Sequence, residues 1–181
     1  RLSFSLQILP MKAAFIDRDG VITKEVGYLY KVEEFEYTHK CIEGLSSLMK
    51  HGYNLFIVTN QAGIAKGLYT IDDYNNLMDW IISDLDKHGI MFTDIFFCPH
   101  HPDGVVKKDS ITCSSRKPSP GMFKRAQKLH NIDMKNSIVI GDKITDIQAG
   151  MNAGVGKSFL VRSGHFIKEN ELENCQIVDN L

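Results

Sequence analysis

An α/β domain with a Rossmann-like, doubly wound and mainly parallel sheet follows from three features of the sequence. Short apolar runs alternate with segments of helical period along the whole chain. Several of these runs carry no polar residue, as strands covered on both faces require. Three of the first four runs end in polar side chains, the position at which parallel strands present ligands.

The first run, Ala13 to Ile16, ends in Asp17-Arg18-Asp19-Gly20. Residues i and i+2 of a strand point the same way, so Asp17 and Asp19 can face one ligand together. Carboxylates that close repel unless a cation or proton lies between them, which points to a metal and a phosphate. Residues 21 to 38, with Gly27, Tyr28 and Tyr30, are long for a connection in a compact domain and favour a flap over the site. Ile42, Leu45, Leu48 and Met49 keep helical spacing, and Gly52 closes that helix. Leu55 to Val58 is a second buried strand, ending in Thr59-Asn60-Gln61.

Thr70 to Asp73 fits a capping box, and the stripe Tyr74, Leu77, Met78, Ile81, Ile82 and Leu85 carries its helix to Gly89. A third strand, Ile95 to Phe97, leads into Cys98-Pro99-His100-His101-Pro102, and a loop reaches Arg116-Lys117-Pro118. Ser119 and Pro120 read as N-cap and first residue of the next helix, with Met122, Phe123, Ala126 and Leu129 inward. Ser137 to Ile140 is the fourth strand, running into Gly141-Asp142-Lys143-Ile144-Thr145-Asp146. A helix follows to Gly154, and Ser158 to Val161 is the fifth strand.

With 181 residues, 43% hydrophobic and 24% charged, the chain suits one domain, read here as residues 11–181. Arg1 to Pro10 precede Met11 and read as upstream sequence outside the fold. Charge is balanced, 21 basic against 22 acidic residues, so no footprint for nucleic acid or a membrane surface exists. No apolar run approaches a membrane span and no signal peptide is evident, which makes a cytoplasmic protein the expectation. The cysteines are too scattered for a disulfide scaffold, and Cys41 and Cys175 read as buried filler. His39, His51, His88, His130 and His165 show no partner pattern and read as solvated or helix-end residues. The segment Gly154-Val155-Gly156-Lys157-Ser158 is not a nucleotide loop, because the required first glycine falls on Met151.

Acids, a hydroxyl, an amide and cations at strand ends suit phosphate monoester chemistry, which is mainly positioning plus charge neutralisation. On this reading Asp17 attacks phosphorus, and Asp19 protonates the leaving oxygen and then activates water. Thr59 and Asn60 bind phosphoryl oxygens, while Lys117, beside Arg116, neutralises developing charge. Asp17, Asp142 and a backbone carbonyl near Asp19 form an oxygen-ligand site that suits Mg²⁺.

Hydrophobic strand plus Asp-x-Asp-Gly, strand plus Thr-Asn, Arg-Lys-Pro, and Gly-Asp-x-x-x-Asp occur here in order, and the chain resembles the haloacid dehalogenase (HAD) superfamily of phosphohydrolases. Gly27-Tyr28, Gly63-Ile64-Ala65-Lys66-Gly67 and Cys98-Pro99-His100-His101-Pro102 narrow the resemblance, over residues 11–164, to its heptose bisphosphate phosphatase branch, which is histidinol-phosphatase-like. The resemblance implies a cytoplasmic, monomeric enzyme without a large cap domain. It implies removal of the C7 phosphate of a heptose 1,7-bisphosphate, on the way to nucleotide-activated heptose for lipopolysaccharide or another surface glycan. Short loops would then read the substrate: Glu25, Val26, Gly27 and Tyr28, then Gln61, Ala62 and Lys66, and Arg116. Lys143 would contact phosphate and help hold Asp142, and Asp146 would be a helix-start support or a metal ligand. The branch carries a structural Zn²⁺ on Cys-x-His and Cys-x-Cys; Cys98, His100 and Cys113 match, but Ser115 stands at the fourth position. Three ligands plus water, recruitment of His101, and loss of zinc are the alternatives, and without zinc the loop would be held by packing alone. Histidinol-phosphate phosphatases share the motifs, and a receiver-like domain that keeps its aspartyl-phosphate is the rival of another class. Asp19, a poised acid and base, argues against the latter.

Overall fold

The computed structural model describes residues 9–165 and 175–181, so the reading of residues 1–10 lies outside it except for Leu9 and Pro10. Strands β1 (Ala13–Ile16), β2 (Asn54–Asn60), β3 (Phe92–Cys98), β4 (Ile138–Gly141), β5 (Lys157–Val161) and β6 (Cys175–Val178) form one sheet in the order β3-β2-β1-β4-β5-β6. Every neighbouring pair is parallel, and Phe15 of β1 stands level with Phe56 on one side and Val139 on the other. The chain order reverses across β1 and β4, which places a crevice at their carboxyl ends.

The period of two divides the strand residues between two cores. Ala14, Ile16, Leu55, Ile57, Ile138 and Ile140 face the layer that contains α1 (Cys41–Lys50) and α3 (Ile71–Lys87). Ala13, Phe15, Phe56, Val58 and Val139 face α4 (Gly121–His130) and α5 (Ile144–Asn152). Thr70 and Asp73 make the capping box at the start of α3, as their spacing implies. The long segment after β1 folds back on itself through a bridge between Thr23 and Tyr37 and a short 3₁₀ turn, Val32–Glu34.

Three expectations are corrected. Helix α4 starts at Gly121 with Pro120 in the cap position, because Gly121 N–H closes the preceding loop on Ser114 O at 3.0 Å. Leu129 is 59% exposed, since His130 takes the inward place and packs against Phe56 and Phe96 while bonding Asp94 at 2.7 Å. A sixth strand exists, and its edge position leaves Cys175 only partly buried; Cys41 is buried as expected. No helix among the described residues is long and apolar enough to cross a membrane.

Candidate active site

The end of β1 sets the site. Asp17 N–H still donates to Ile140 O of β4 at 3.0 Å, so its side chain leaves the last rung of the sheet in a fixed direction. The chain then turns at Gly20, whose φ of +84° and whose closeness to Asp142 both exclude a Cβ; one built there would lie 2.2 Å from Asp142 Oδ2. Asp17, Asp142 and Asp146 each bring a carboxylate oxygen within 4.8 Å of the others. Asp142 Oδ1 is buried without a hydrogen-bond partner. Burial, and then the Asp17 and Asp146 charges, push the Asp142 carboxyl up to about 7. Burial likewise raises Asp146, with Lys117 opposing.

Lys117 closes the cluster from the side of β2. Its buried ammonium lies 3.0 Å from Asp17 Oδ1 and 2.6 Å from Asp146 Oδ1, and donates to Val58 O at 2.7 Å. Burial alone would lower its pKa, but the Asp146 and Asp17 charges hold it above the usual lysine value. The Asn60 carboxamide binds the Lys117 backbone at 3.1 Å from each end. Thr59 is buried behind it and accepts from Gln61 Nε2 at 2.9 Å.

Asp19 points elsewhere. Arg18 Nε and Nη2 each donate to its carboxylate at 2.9 Å, and Gln61 Nε2 donates at 3.0 Å. Burial raises the Asp19 pKa, and the Arg18 charge works against that rise. Arg18 is itself only 1% exposed, and also donates to Leu29 O at 3.0 Å, tying the flap to the motif.

Asp17, Arg18, Asp19, Asn60, Gln61, Lys117 and Asp146 line a cleft of about 440 Å³, with Asp142 buried behind it. Glu25, Gly27 and Tyr28 of the flap, Gln61, Ala62 and Lys66 of the turn around α2 (Ala62–Ala65), and Arg116 and Lys143 all line it. Lys66 donates to Tyr28 OH at 2.9 Å, and Glu25 accepts from Gly27 N–H at 2.7 Å while standing 3.4 Å from Lys143 Nζ. Val26 is 54% exposed and, like Thr59, is not among the lining residues. His101, weighed from the sequence only as a zinc ligand, and His165, read as solvated or helix-end, also line the cleft, as do Leu29, Tyr69 and Thr145. His165 is not a free surface histidine: its Nδ1 is 2.5 Å from Asp142 Oδ2. Nothing in its local sequence signals this, because the contact exists only through the β4-β5 neighbourhood.

The loop after β3 holds a second cluster. Cys98, His100 and Cys113 bring ligand atoms within 4.8 Å of one another, and His100 Nδ1 is buried without a partner. Burial pushes the Cys98 thiol up to about 11. Against the burial that would raise it, contacts with His100, the Ser115 N–H and Cys98 bring Cys113 down to about 7. Ser115 meets Cys113 through its N–H, at 3.3 Å. His101 stands outside the cluster, its Nδ1 accepting from Asp103 N–H at 3.1 Å. Packing alone does not hold this loop: Val105 and Val106 N–H donate to Ala65 O at 2.8 and 2.9 Å, and Arg116 Nη1 donates to His100 O at 3.2 Å.

A doubly wound parallel sheet with an acid cluster, a buried lysine and an Asp-x-Asp turn at its switch point defines a HAD-like hydrolase, and the family model described as HAD-hydrolase-like matches residues 114–181. A curated protein of Photorhabdus laumondii, named D-glycero-alpha-D-manno-heptose-1,7-bisphosphate 7-phosphatase, is 52% identical, covering 94% of this chain and 93% of its own. The chain therefore belongs to the heptose-1,7-bisphosphate 7-phosphatase family. A second Photorhabdus laumondii protein, named as the phosphatase of the beta compound, is 38% identical over 93% of this chain and 89% of its own. Among solved structures, the D,D-heptose 1.7-bisphosphate phosphatase of B. bronchiseptica, described as complexed with magnesium and phosphate, is similar with a TM-score of 0.79 and 26% identity, over 94% of this chain and 93% of its own.

Proposed function

We propose that this protein hydrolyses the C7 phosphate of D-glycero-α-D-manno-heptose 1,7-bisphosphate, in the biosynthesis of nucleotide-activated heptose for lipopolysaccharide or another surface glycan. The observation that carries the reading is the meeting of Asp17, Asp142, Asp146 and Lys117 at one strand-end crevice in a chain of this family. The α anomer is favoured by a contrast within one organism: the relative named for the alpha compound is 52% identical, the one named for the beta compound 38%.

A magnesium ion fits this donor set, because Asp142 Oδ1 is a buried oxygen without a partner and Asp17, Asp142 and Asp146 each bring a carboxylate oxygen within 4.8 Å of the others. Asp17, Asp142 and the main-chain carbonyl of Asp19 would hold it, with Asp146 beside them. When bound, it would offset the negative charge of the phosphoryl oxygens. Asp17 attacks phosphorus in line and forms an aspartyl-phosphate while the P–O bond to the sugar breaks. Asp19 leaves its Arg18 and Gln61 partners to give a proton to the departing oxygen, then takes one from the water that opens the intermediate. Lys117 neutralises charge on the phosphoryl group, Arg116 lies beside it, and Asn60 holds Lys117 in place. Thr59 supports Gln61, Lys143 contacts phosphate, and Glu25, 3.4 Å from Lys143 Nζ, belongs to the loop that reads the substrate.

A zinc ion fits Cys98, His100 and Cys113, given their mutual approach and the unpartnered His100 Nδ1. Bound there with the Ser115 position open, it would add a clamp to a loop that already has hydrogen bonds of its own.

The test is a phosphate-release panel with both anomers of the bisphosphate and with histidinol phosphate. Preference for the α anomer by about tenfold requires only ~1.4 kcal/mol of differential transition-state binding. A preference for the β anomer overturns the anomeric assignment, and a preference for histidinol phosphate overturns the substrate.

A further inference from the structure

His101 lines the cleft, and neither the acid chemistry nor the cysteine cluster uses it. Its ring nitrogens are not equivalent. Nδ1 accepts the Asp103 N–H at 3.1 Å, so in the neutral ring the proton resides on Nε2. Nε2 has no hydrogen-bond partner among the described residues, and the ring lines the cleft. The main chain that carries the ring is fixed too, because His101 N–H donates to Asp109 O at 3.1 Å and Gly104 N–H donates to His101 O at 3.0 Å. A donor held by this many local bonds is pre-organised, so it costs little entropy to use.

Its neighbours identify what it would meet. Arg116 and Lys66 line the same cleft, Arg116 tethered through His100 O and Lys66 through Tyr28 OH. A bisphosphate brings two anionic groups into the cleft, and the one attacked by Asp17 is served by Lys117 and the acid cluster. The remaining anion needs donors away from the acids, and this wall supplies two cations and one fixed N–H. We infer that His101 Nε2–H donates to the phosphate that is not cleaved, making His101 a specificity residue that distinguishes the bisphosphate from a monophosphate of the same sugar. The inference rests on the bisphosphatase reading above.

The experiment compares heptose 1,7-bisphosphate with heptose 7-phosphate for the wild-type protein, His101→Ala and His101→Gln. With His101→Ala, kcat/KM for the bisphosphate falls by about 10- to 100-fold, carried by KM, as removal of a ground-state binding contact to an anion requires. Turnover of the 7-phosphate stays within about twofold of wild type, which also shows that the variant is folded. His101→Gln, which keeps an N–H donor at similar reach, restores at least part of the loss. Equal losses on both substrates, or none on either, overturn the inference and leave the bisphosphatase reading intact. Failure of the wild-type protein to release phosphate from either anomer of the bisphosphate overturns that reading, and the inference with it.

Discussion

The Asn60 carboxamide makes both of its hydrogen bonds to the backbone of Lys117, accepting from N–H and donating to C=O at 3.1 Å each. It thereby locks the end of β2 to the segment that carries the buried ammonium. Asn60→Ala would leave two backbone groups of Lys117 unpaired, at a cost of about 1–3 kcal/mol. Its kcat would fall by about 10- to 100-fold with KM nearly unchanged, since Lys117 loses its position rather than the substrate its binding contacts. Chemical denaturation and steady-state phosphate release check the two halves, and a loss confined to KM would refute the positioning role.

Lys117 has three N–H donors and three acceptors, Val58 O, Asp17 and Asp146. Lys117→Met leaves those oxygens facing one another, so stability at pH 8 is expected to drop by about 3–5 kcal/mol. Phosphate release should fall at least about 10²-fold. Lys117→Arg should not rescue it, because a flat guanidinium cannot point donors at three converging acceptors. Wild-type activity in the arginine variant would contradict this geometry.

The Asp142 carboxyl gives a pH-dependent prediction. Burial and the neighbouring acids raise it to about 7 without a cation, above its ordinary carboxylate value. A raised folded pKa means that the folded state holds the proton more tightly than the unfolded chain. The stability from that proton is complete below the ordinary carboxylate pKa, and is lost as pH rises through about 7. Magnesium needs the ionised form, so it competes with the proton below that pH and not above it. The rise in melting temperature caused by added Mg²⁺ should therefore be larger at pH 8 than at pH 6. An equal rise at both would exclude Asp142 as the group that exchanges a proton for the metal.

Ser115→Cys adds the thiolate that a four-ligand zinc site lacks. Competition with a chromogenic chelator should show zinc held at least about tenfold more tightly by the variant than by the wild type. Cobalt substitution should give a stronger thiolate charge-transfer band in the variant. Unchanged affinity would place position 115 outside the reach of the metal.

The alternation of strands and helices was legible because buried parallel strands are apolar without interruption, and the acids at their ends have no place in a core. The order of β1, β2 and β4 then brought Asp17, Asn60 and Asp142 together, as strand-end motifs must meet at a switch point. Asp146 could be placed only as a helix-start residue or a ligand, and the structure gives it both contacts, with Lys143 N–H at 3.0 Å and inside the acid cluster. His165 and His101 were not legible, since each gains its position from a loop whose path no local pattern encodes. Leu129 and β6 failed for a related reason. A helical stripe does not say which of two adjacent residues, Leu129 or His130, finds the better neighbour, and a four-residue edge strand carries too little periodicity.

The carbonyl of Ala65, which accepts from both Val105 and Val106, joins the loop after β3 to the turn that bears Gln61 and Lys66. The wall proposed to receive the sugar is thus one assembly of linked loops, while Asp17 and Asp142, the proposed nucleophile and metal ligand, follow directly on β1 and β4. Taste and blade are separate parts. A lineage can alter what it accepts by editing a few loop positions and still keep, unchanged, the strand ends that cut.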